Sequence, residues 1–552
     1  MGQRVISMFH AFANIDLDQL DVKNRLFHDF VSSSVEQPPF LQTLPSGGKL
    51  WSHQRPRSLR TLDANQEVLW RELTESVAAL SGRLGTHQRI LDQIDRAGTR
   101  EARFVITGQQ PGALGGPLYA AYKIATAVAL ARLVERESDR PCIPLYWCGA
   151  DDTDFQEIRD VSLITRQLSL VSSSISPHAH DTGMPVGDIG TDALRDMWGN
   201  LSGFVSELPG EAAVRNVVES AFSSAKDHGE LCAAILIGAL GGEFAVVDGR
   251  SPEVRRYAKS LFAEYTRQEV DVKQEVTKNG KRLENSGYHA QLKVGADSGV
   301  FIVENGRRRS VSADRLPVLA DAVADRVETC SPGVILRNLV QDYTFEPLAV
   351  VLGPAEIAYR AQIATLYQRF DVERPVEFPR MAATFVPPPL VEILRAAEGL
   401  DVTQLVKEPA VFAKTIYRSQ TPESVRDGVA EFTASVRGAL ERLCTVIEGA
   451  APDRSRAKIL AKLRELGDRS EQTAGVVLET GRIRSLERWP FLSDLSQVMR
   501  PGDRAQERRL SALVPFLHAA GQGGETLMGL AEAYARELLD GRALHVVYSN
   551  LP

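Results

Sequence analysis

The sequence predicts an α/β fold built on a buried parallel sheet, and two stretches carry that prediction. Arg103 to Asp160 reads as apolar strand, glycine loop, amphipathic helix, second apolar strand and acidic loop. Leu348 to Phe370 repeats the theme as strand, Gly353-Pro354 turn and helix. Strands written as continuous apolar runs, without alternation, are covered on both faces, as in parallel sheets.

In the first stretch the strand is Phe104-Val105-Ile106, and the loop after it carries Gly108, Gly112, Gly115 and Gly116. Pro117 suits the first helical position, where its missing N–H would be unpaired anyway. Leu118, Tyr122, Ala125, Ala129 and Leu133 then recur at helical spacing to about Glu135. Ile143 to Cys148 is the second strand and runs into Gly149, Asp151, Asp152 and Asp154. In such a βαβ unit both loops fall at the carboxyl edge of the sheet, where open α/β folds bind ligands. Glycine lets backbone approach a ligand, and a helix start offers N–H groups to an anion. The loop therefore reads as a ligand loop, although it matches neither G-x-G-x-x-G nor G-x-x-x-x-G-K-[ST]. The alternative is a turn that only packs strand on helix. For the acids the alternatives are catalysis or metal binding on one side, and a solvated loop with Asp152 or Thr153 as helix N-cap on the other.

The totals bound the class. With 552 residues, 43% apolar and 24% charged, the chain is an ordinary globular protein with ample core. A net charge of −7 gives no reason to expect nucleic acid as a partner. The five cysteines, Cys142, Cys148, Cys232, Cys330 and Cys444, are scattered and form neither a disulfide framework nor a zinc CxxC site. A reducing, cytoplasmic setting is expected. The stretch MGQRVISMFHAFANIDLDQL lacks the basic-then-apolar pattern of a signal peptide, so none is expected there, and no apolar run nears the roughly 20 residues that span a bilayer.

Taken in order, Gln37-Pro38-Pro39 and Pro45-Ser46-Gly47-Gly48 mark loops, and residues 63 to 98 read as one helix. Residues 161 to 172 read as extended, and His178 and His180 after them as an exposed loop pair. Residues 191 to 241 are mainly helical; Phe244 to Val247 is a third strand; Pro252 to Lys281 is a helix. Gly287 to Val311 alternates and turns like a small antiparallel unit with Asn305-Gly306 as its hairpin. In the second strand–turn–helix, Glu356 lies in the first helical turn, where the helix dipole favours a carboxylate. Pro387-Pro388-Pro389 closes this half. From Thr421, Val425, Val429, Phe432, Val436, Leu440, Leu443 and Ile447 step by three and four, a heptad seam. Ala450-Ala451-Pro452-Asp453 is the turn, and a second helix runs to about Thr480. Such a seam predicts core packing or a homodimer through the hairpin. Arg504 and Arg508 in the final stretch are candidates to reach an anionic ligand.

Several segments together resemble a known family. TGQQPG…GGPLYAAYK followed by PLYWCGADDTDFQEI is similar to the bacillithiol-synthesis cysteine-adding enzymes (BshC), which carry TGQQxGxxxGPLYxxxK and then a WIAxEDHDFxEI-like segment at matching spacing. Gln341, Asp342, Glu356 and Tyr359 match the family string RPLVQDxxxPxxAYVGGPGEIAYxAQ. His289 falls in a GYHAQ segment that the family also has, and Gln506-Glu507-Arg508 in its closing QER segment. Two departures stand out: Asp151-Asp152-Thr153-Asp154 replaces Glu-Asp-His-Asp, and Leu352-Gly353-Pro354-Ala355-Glu356 replaces GGPGE.

The resemblance implies a Rossmann-like core over 1–390 with insertions at about 161–243 and 270–330, a helical coiled-coil hairpin over 391–485, and a segment over 486–552 that packs back on the core. It implies a ligase joining cysteine to glucosaminyl-malate by an amide bond. Because carboxylate and ammonium do not condense unaided, ATP with Mg²⁺ is the expected activating co-substrate. The catalytic candidates are Asp151, Asp152, Asp154 and Lys123, the lysine lying about two turns into its helix (~1.5 Å per residue). The binding candidates are Gly108, Gln109, Gln110, Gly112, Gly115, Gly116, Tyr119, Trp147, His289, Gln341, Asp342, Gly353, Glu356 and Tyr359; the metal ligands stay open. Two other classes fit the residues: a nucleotidyl- or aminoacyl-transferring enzyme with another acceptor, and a non-catalytic nucleotide-binding dimeric scaffold.

Overall fold

The structure, a computed structural model, describes residues 10–20, 23–32, 40–42, 44, 59–295, 299–311, 319–320, 323, 325–396, 400–450, 452–519 and 526–550. The expected loops at 37–39 and 45–48, and Ala451 of the inter-helix turn, lie outside the described residues. The chain divides into two compact units: Met1–Arg166 with Leu170–Pro388 and Arg504–Pro552, and Gln167–Ser169 with Pro389–Asp503.

The first unit is built on five strands: β1 (Arg103–Gln109), β2 (Cys142–Cys148), β3 (Ala245–Asp248), β4 (Ala349–Leu352) and β5 (Val376–Pro379). Their order across the sheet is β5-β4-β1-β2-β3, with every neighbour parallel. Read from the other edge this is 3-2-1-4-5, the order of a Rossmann-like sheet, whose direction of travel reverses between β1 and β4. Every residue of β2, β4 and β5 is buried, which is why these segments carry no alternation. β5 is only four residues long and is a strand the apolar pattern did not suggest. Three more unsuggested strands pair into a second sheet, with Leu544–Ser549 between His10–Asp16 and Ala382–Phe385.

Helix α1 (Leu118–Ser138) is buried almost all round. It packs against β1 and β2 on one side and against the helix Leu527–Leu539 on another, so residues 504–552 belong to this unit. Pro117 is its N-cap, with extended backbone, and not its first helical residue. Four further helices matter below: α2 (Phe155–Ile158), α3 (His228–Ala239), α4 (Val334–Phe345) and α5 (Pro354–Ile363).

Several long helices expected from periodicity are broken. The one over 63–98 splits into Ala64–Leu84 and Gln88–Gly98, because Gly85 turns left-handed at φ 101° and caps the first. The one over 252–281 is three helices, Pro252–Tyr257, Lys259–Arg267 and Glu269–Asn285. The β unit is narrower than expected, with Val300–Glu304 and Arg307–Ser310 joined by Asn305 and Gly306 at positive φ, the backbone of a tight hairpin.

The second unit holds the helical hairpin, α6 (Glu423–Ala450) and α7 (Asp453–Arg488). Pro388 and Pro389 open a helix, Pro388–Ala396, where a break was expected; proline fits a first turn, whose N–H groups have no partner. Residues 486–503 group with this unit and not with the C-terminal segment. Leu492, Leu495 and Val498 are buried there, and Tyr417 donates to the Leu492 carbonyl at 3.2 Å.

Candidate active site

Because β1, β2 and β4 are parallel, the loops that follow them leave from the same edge. They surround a cavity of about 350 Å³ at the point where the sheet reverses direction. Gly108, Gln109, Gln110, Tyr119 and Lys123 come from β1 and the segment after it, and Trp147, Gly149, Asp152 and Glu157 from the end of β2 onward. Gly353, Glu356, Tyr359 and Arg360 follow β4; Arg337, Asn338 and Gln341 come from α4; Arg380 and Arg508 complete the wall.

Lys123 reaches the cavity despite its place inside α1, because helical side chains lean toward the N-terminus. Its Nζ donates to the Gly108 carbonyl at 2.8 Å and to Gln109 Oε1 at 3.0 Å, and pairs with Glu356 Oε2 at 2.5 Å. Burial pulls the ammonium pKa down and Glu356 pushes back, with a net lowering. Glu356 Oε2 also accepts from Gly353 N at 2.7 Å, the half of a capping box that a glycine N-cap can form at the start of α5. The pair thus ties the β1 loop to the β4 loop.

The three acids after β2 have different fates. Asp152 lines the cavity; Oδ1 accepts from Thr153 N at 2.7 Å and Oδ2 from Arg337 Nη1 at 3.2 Å. Burial works to raise its pKa, but the Arg337 guanidinium, helped by Gln110, Arg308 and the Thr153 N–H, outweighs it and holds the carboxyl at about 2. Asp151 is not on the cavity wall. It is 1% exposed, accepts from Ser331 Oγ at 2.8 Å, and lies 3.2 Å from Arg337 Nη2 and 3.9 Å from Arg255 Nη2. Asp154 is the N-cap of α2, exposed, accepting from Glu157 N at 3.2 Å, so the cap falls on neither Asp152 nor Thr153. Glu157 does line the cavity, and burial together with Asp154 and Asp152 raises its pKa.

The glycine loop is tightly packed. Gly112, Gly115 and Gly116 do not line this cavity, but Gly112 and Gly116 line a smaller one beside it. A Cβ on Gly112 would sit 2.5 Å from Gly116 Cα, and one on Gly115, at φ 88°, would sit 2.9 Å from Ile235 Cγ2 on α3. The loop folds on itself and against α3, at distances that leave no room for side chains at Gly112 and Gly115. At the head of α1, Leu118 N donates to the Leu510 carbonyl.

Asp342 also stays off the wall: it is fully buried, paired with Arg360 and accepting from Tyr367 Oη at 2.6 Å. His289 is exposed, in an irregular segment, and does not line the cavity. Gln110 Oε1 is buried on the wall and accepts no hydrogen bond among the described residues. Glu157, Arg337, Asn338 and Arg360 were not singled out from the sequence. Helical spacing carried the signal: Arg337 and Asn338 precede Gln341 by four and three, and Arg360 follows Glu356 by four. Among the described residues no cluster of three or more His, Cys, Asp or Glu is arranged to hold a metal ion.

The family model "Bacillithiol biosynthesis BshC, N-terminal Rossmann-like domain" matches residues 13–381. The chain belongs to the BshC family. Relatives carrying the name "Putative cysteine ligase BshC" include that of Natranaerobius thermophilus, 25% identical over 65% of this chain and 69% of its own. That of Koribacter versatilis is 28% identical over 69% and 72% of the two chains, and that of Solibacter usitatus 27% over 75% and 79%. Of the residues lining the cavity, only Arg508 lies beyond the matched span.

Proposed function

We propose that the protein is a ligase that joins the carboxyl of cysteine to the amine of glucosaminyl-malate, completing bacillithiol. The observation that carries this reading is that motif residues from three separate segments of a BshC-family chain meet at one cavity: Gln109, Gln110, Tyr119 and Lys123; Asp152; Gln341, Glu356 and Tyr359. The bond formed is an amide, with one water lost. An unactivated carboxylate resists that loss, so ATP with Mg²⁺ is the proposed co-substrate. Mg²⁺ is commonly held by one or two carboxylates together with phosphate oxygens, and Asp152, ionised at any working pH, is the carboxylate that fits. The same charge suits an incoming ammonium. A carboxyl near 2 is a weak proton acceptor, whereas Glu157, with its raised pKa, is the better base for freeing the amine.

The proposal extends to assembly and setting. Phe432, Leu443 and Val446 on α6, and Leu466, Val476, Val477 and Ile483 on α7, are exposed apolar side chains on the hairpin, as a homodimer through this element would need. All five cysteines are free, in keeping with the cytoplasm, and no described helix is long and apolar enough to cross a membrane.

The test is mass spectrometry of thiol products after incubation with glucosaminyl-malate, cysteine and ATP–Mg²⁺. The cysteinyl amide is expected, absent when ATP is omitted. Nucleotide turnover with other amino acids and no preference for cysteine would favour the transfer enzyme with another acceptor; saturable nucleotide binding without product would favour the scaffold.

A further inference from the structure

The cations of the cavity wall are nearly all neutralised from within. Lys123 is paired with Glu356, Arg337 with Asp151 and Asp152, Arg360 with Asp342 and Glu377, and Arg380 with Glu507. Arg508 is the exception: its guanidinium makes no ion pair within 4 Å and no hydrogen bond among the described residues, and its charge acts only at longer range on Glu157, Glu507 and Tyr119. Its side chain is exposed, but the backbone that carries it is anchored by its two neighbours. Gln506 is buried and holds the Phe385 backbone in both directions, accepting from its N–H at 2.9 Å and donating to its carbonyl at 3.0 Å. Glu507 is clamped by Arg380, whose Nη1 donates to it at 2.7 Å.

Arg508 also stands at a junction. A second cavity, of about 170 Å³, opens beside the first and is lined by Arg504, Arg508, Arg509, Glu157 and Asp160, among others. Tyr119, Glu157 and Arg508 border both. Asp160 is taken by Arg159 at 3.2 Å, whereas Glu157 makes no ion pair within 4 Å among the described residues and feels the charges of Lys123 and Arg508 at longer range. A ligand across the junction therefore meets Arg508 and the Glu157 carboxylate at the border of the two cavities, with Arg504 and Arg509 adding positive charge on the side of the smaller one. That is a fit for a molecule bearing both an acid and an amine.

We propose that Arg508 is a specificity-determining residue that receives a carboxylate of the amine-bearing acceptor at the junction of the two cavities. The inference rests on the ligase reading for the acceptor's identity, but not for the anion site. The bound carboxylate directs the rest of the acceptor into the larger cavity, where Asp152 and Glu157 meet the amine. Carboxylates and phosphates are both anions a guanidinium binds, so the source must be decided by experiment.

Calorimetric titration of the whole protein with malate tests this, with inorganic phosphate as the second probe and thermal melts as the fold control. Saturable malate binding is expected, weakened roughly tenfold or more in Arg508→Gln, partly restored in Arg508→Lys, which keeps charge but loses the planar fork, and unaffected by Arg136→Ala on the far end of α1. In turnover, Arg508→Gln should raise KM for glucosaminyl-malate while leaving kcat nearly unchanged. Malate binding that is absent, or within twofold of wild type in Arg508→Gln, overturns the proposal, as does phosphate binding in place of malate. If malate binds through Arg508 but no cysteinyl product forms, the ligase reading fails and the anion site stands.

Discussion

Arg337 bridges two consecutive carboxylates, with one guanidinium nitrogen 3.2 Å from Asp152 and the other 3.2 Å from Asp151. One partner faces the cavity and the other is sealed beneath it. Neighbours in sequence thus differ in exposure and in consequence.

Asp152→Asn should cut turnover by roughly a hundredfold or more while the protein stays folded, with only a moderate fall in melting temperature from losing a carboxylate whose pKa the fold depresses. The amide oxygen can still accept from Thr153 N, and Arg337 keeps Asp151. Thiol-product formation measured beside a thermal melt decides; near-normal turnover would leave Asp152 as a loop-packing residue.

Asp151→Asn should do the reverse and lower stability first. The substitution strips a buried charge from between Arg337 and Arg255. Breaking a buried pair typically costs about 3–5 kcal/mol. Denaturant unfolding of the first unit should shift strongly; an unchanged midpoint would show that the arginines find other partners.

Gly112→Ala tests whether the glycine loop packs or binds. Its Cβ would press on Gly116 backbone at 2.5 Å, which no side-chain rotation relieves. Overpacking of this kind costs about 1–3 kcal/mol, so melting should fall. Loss of activity with full thermal stability would point back to a ligand loop.

Acid should weaken the fold between pH 6.5 and about 4. Burial lowers both His518 and His545 to about 4. His518 is held by the Ile164 carbonyl and His545 by Thr384. Below pH 6.5 the unfolded chain binds protons that the folded histidines refuse, so stability present above 6.5 drains away as pH falls toward 4. A chemical-denaturation series across that range should show the loss, and His518→Gln should reduce it.

Deleting residues 421–480 should convert a dimer to a monomer in sedimentation velocity at micromolar concentration. The exposed row on α6 and α7, with Val476 at 74% and Val446 at 59%, motivates it. A monomeric full-length protein, or a dimer that survives the deletion, removes the hairpin from assembly.

The sequence by itself determined the local units and the edge at which they would converge. Continuous apolar runs at β1, β2 and β4, each followed by a polar loop, require a parallel sheet whose loops share one side, because only burial on both faces permits such runs. The heptad steps likewise determined the helix pair. Tertiary structure alone decided which loop residues face the cavity. Asp151, Asp152 and Asp154 are chemically alike in the chain, and only the arrival of Arg255, Arg337 and Ser331 from distant elements seals the first, orients the second and leaves the third as a cap. The glycines were legible as a turn, but the fit of Gly115 against Ile235 on α3 is a close approach between segments more than a hundred residues apart. The short strands β5 and Leu544–Ser549 were illegible for the same reason: each is defined by the neighbours it pairs with, through hydrogen bonds that a linear pattern does not encode.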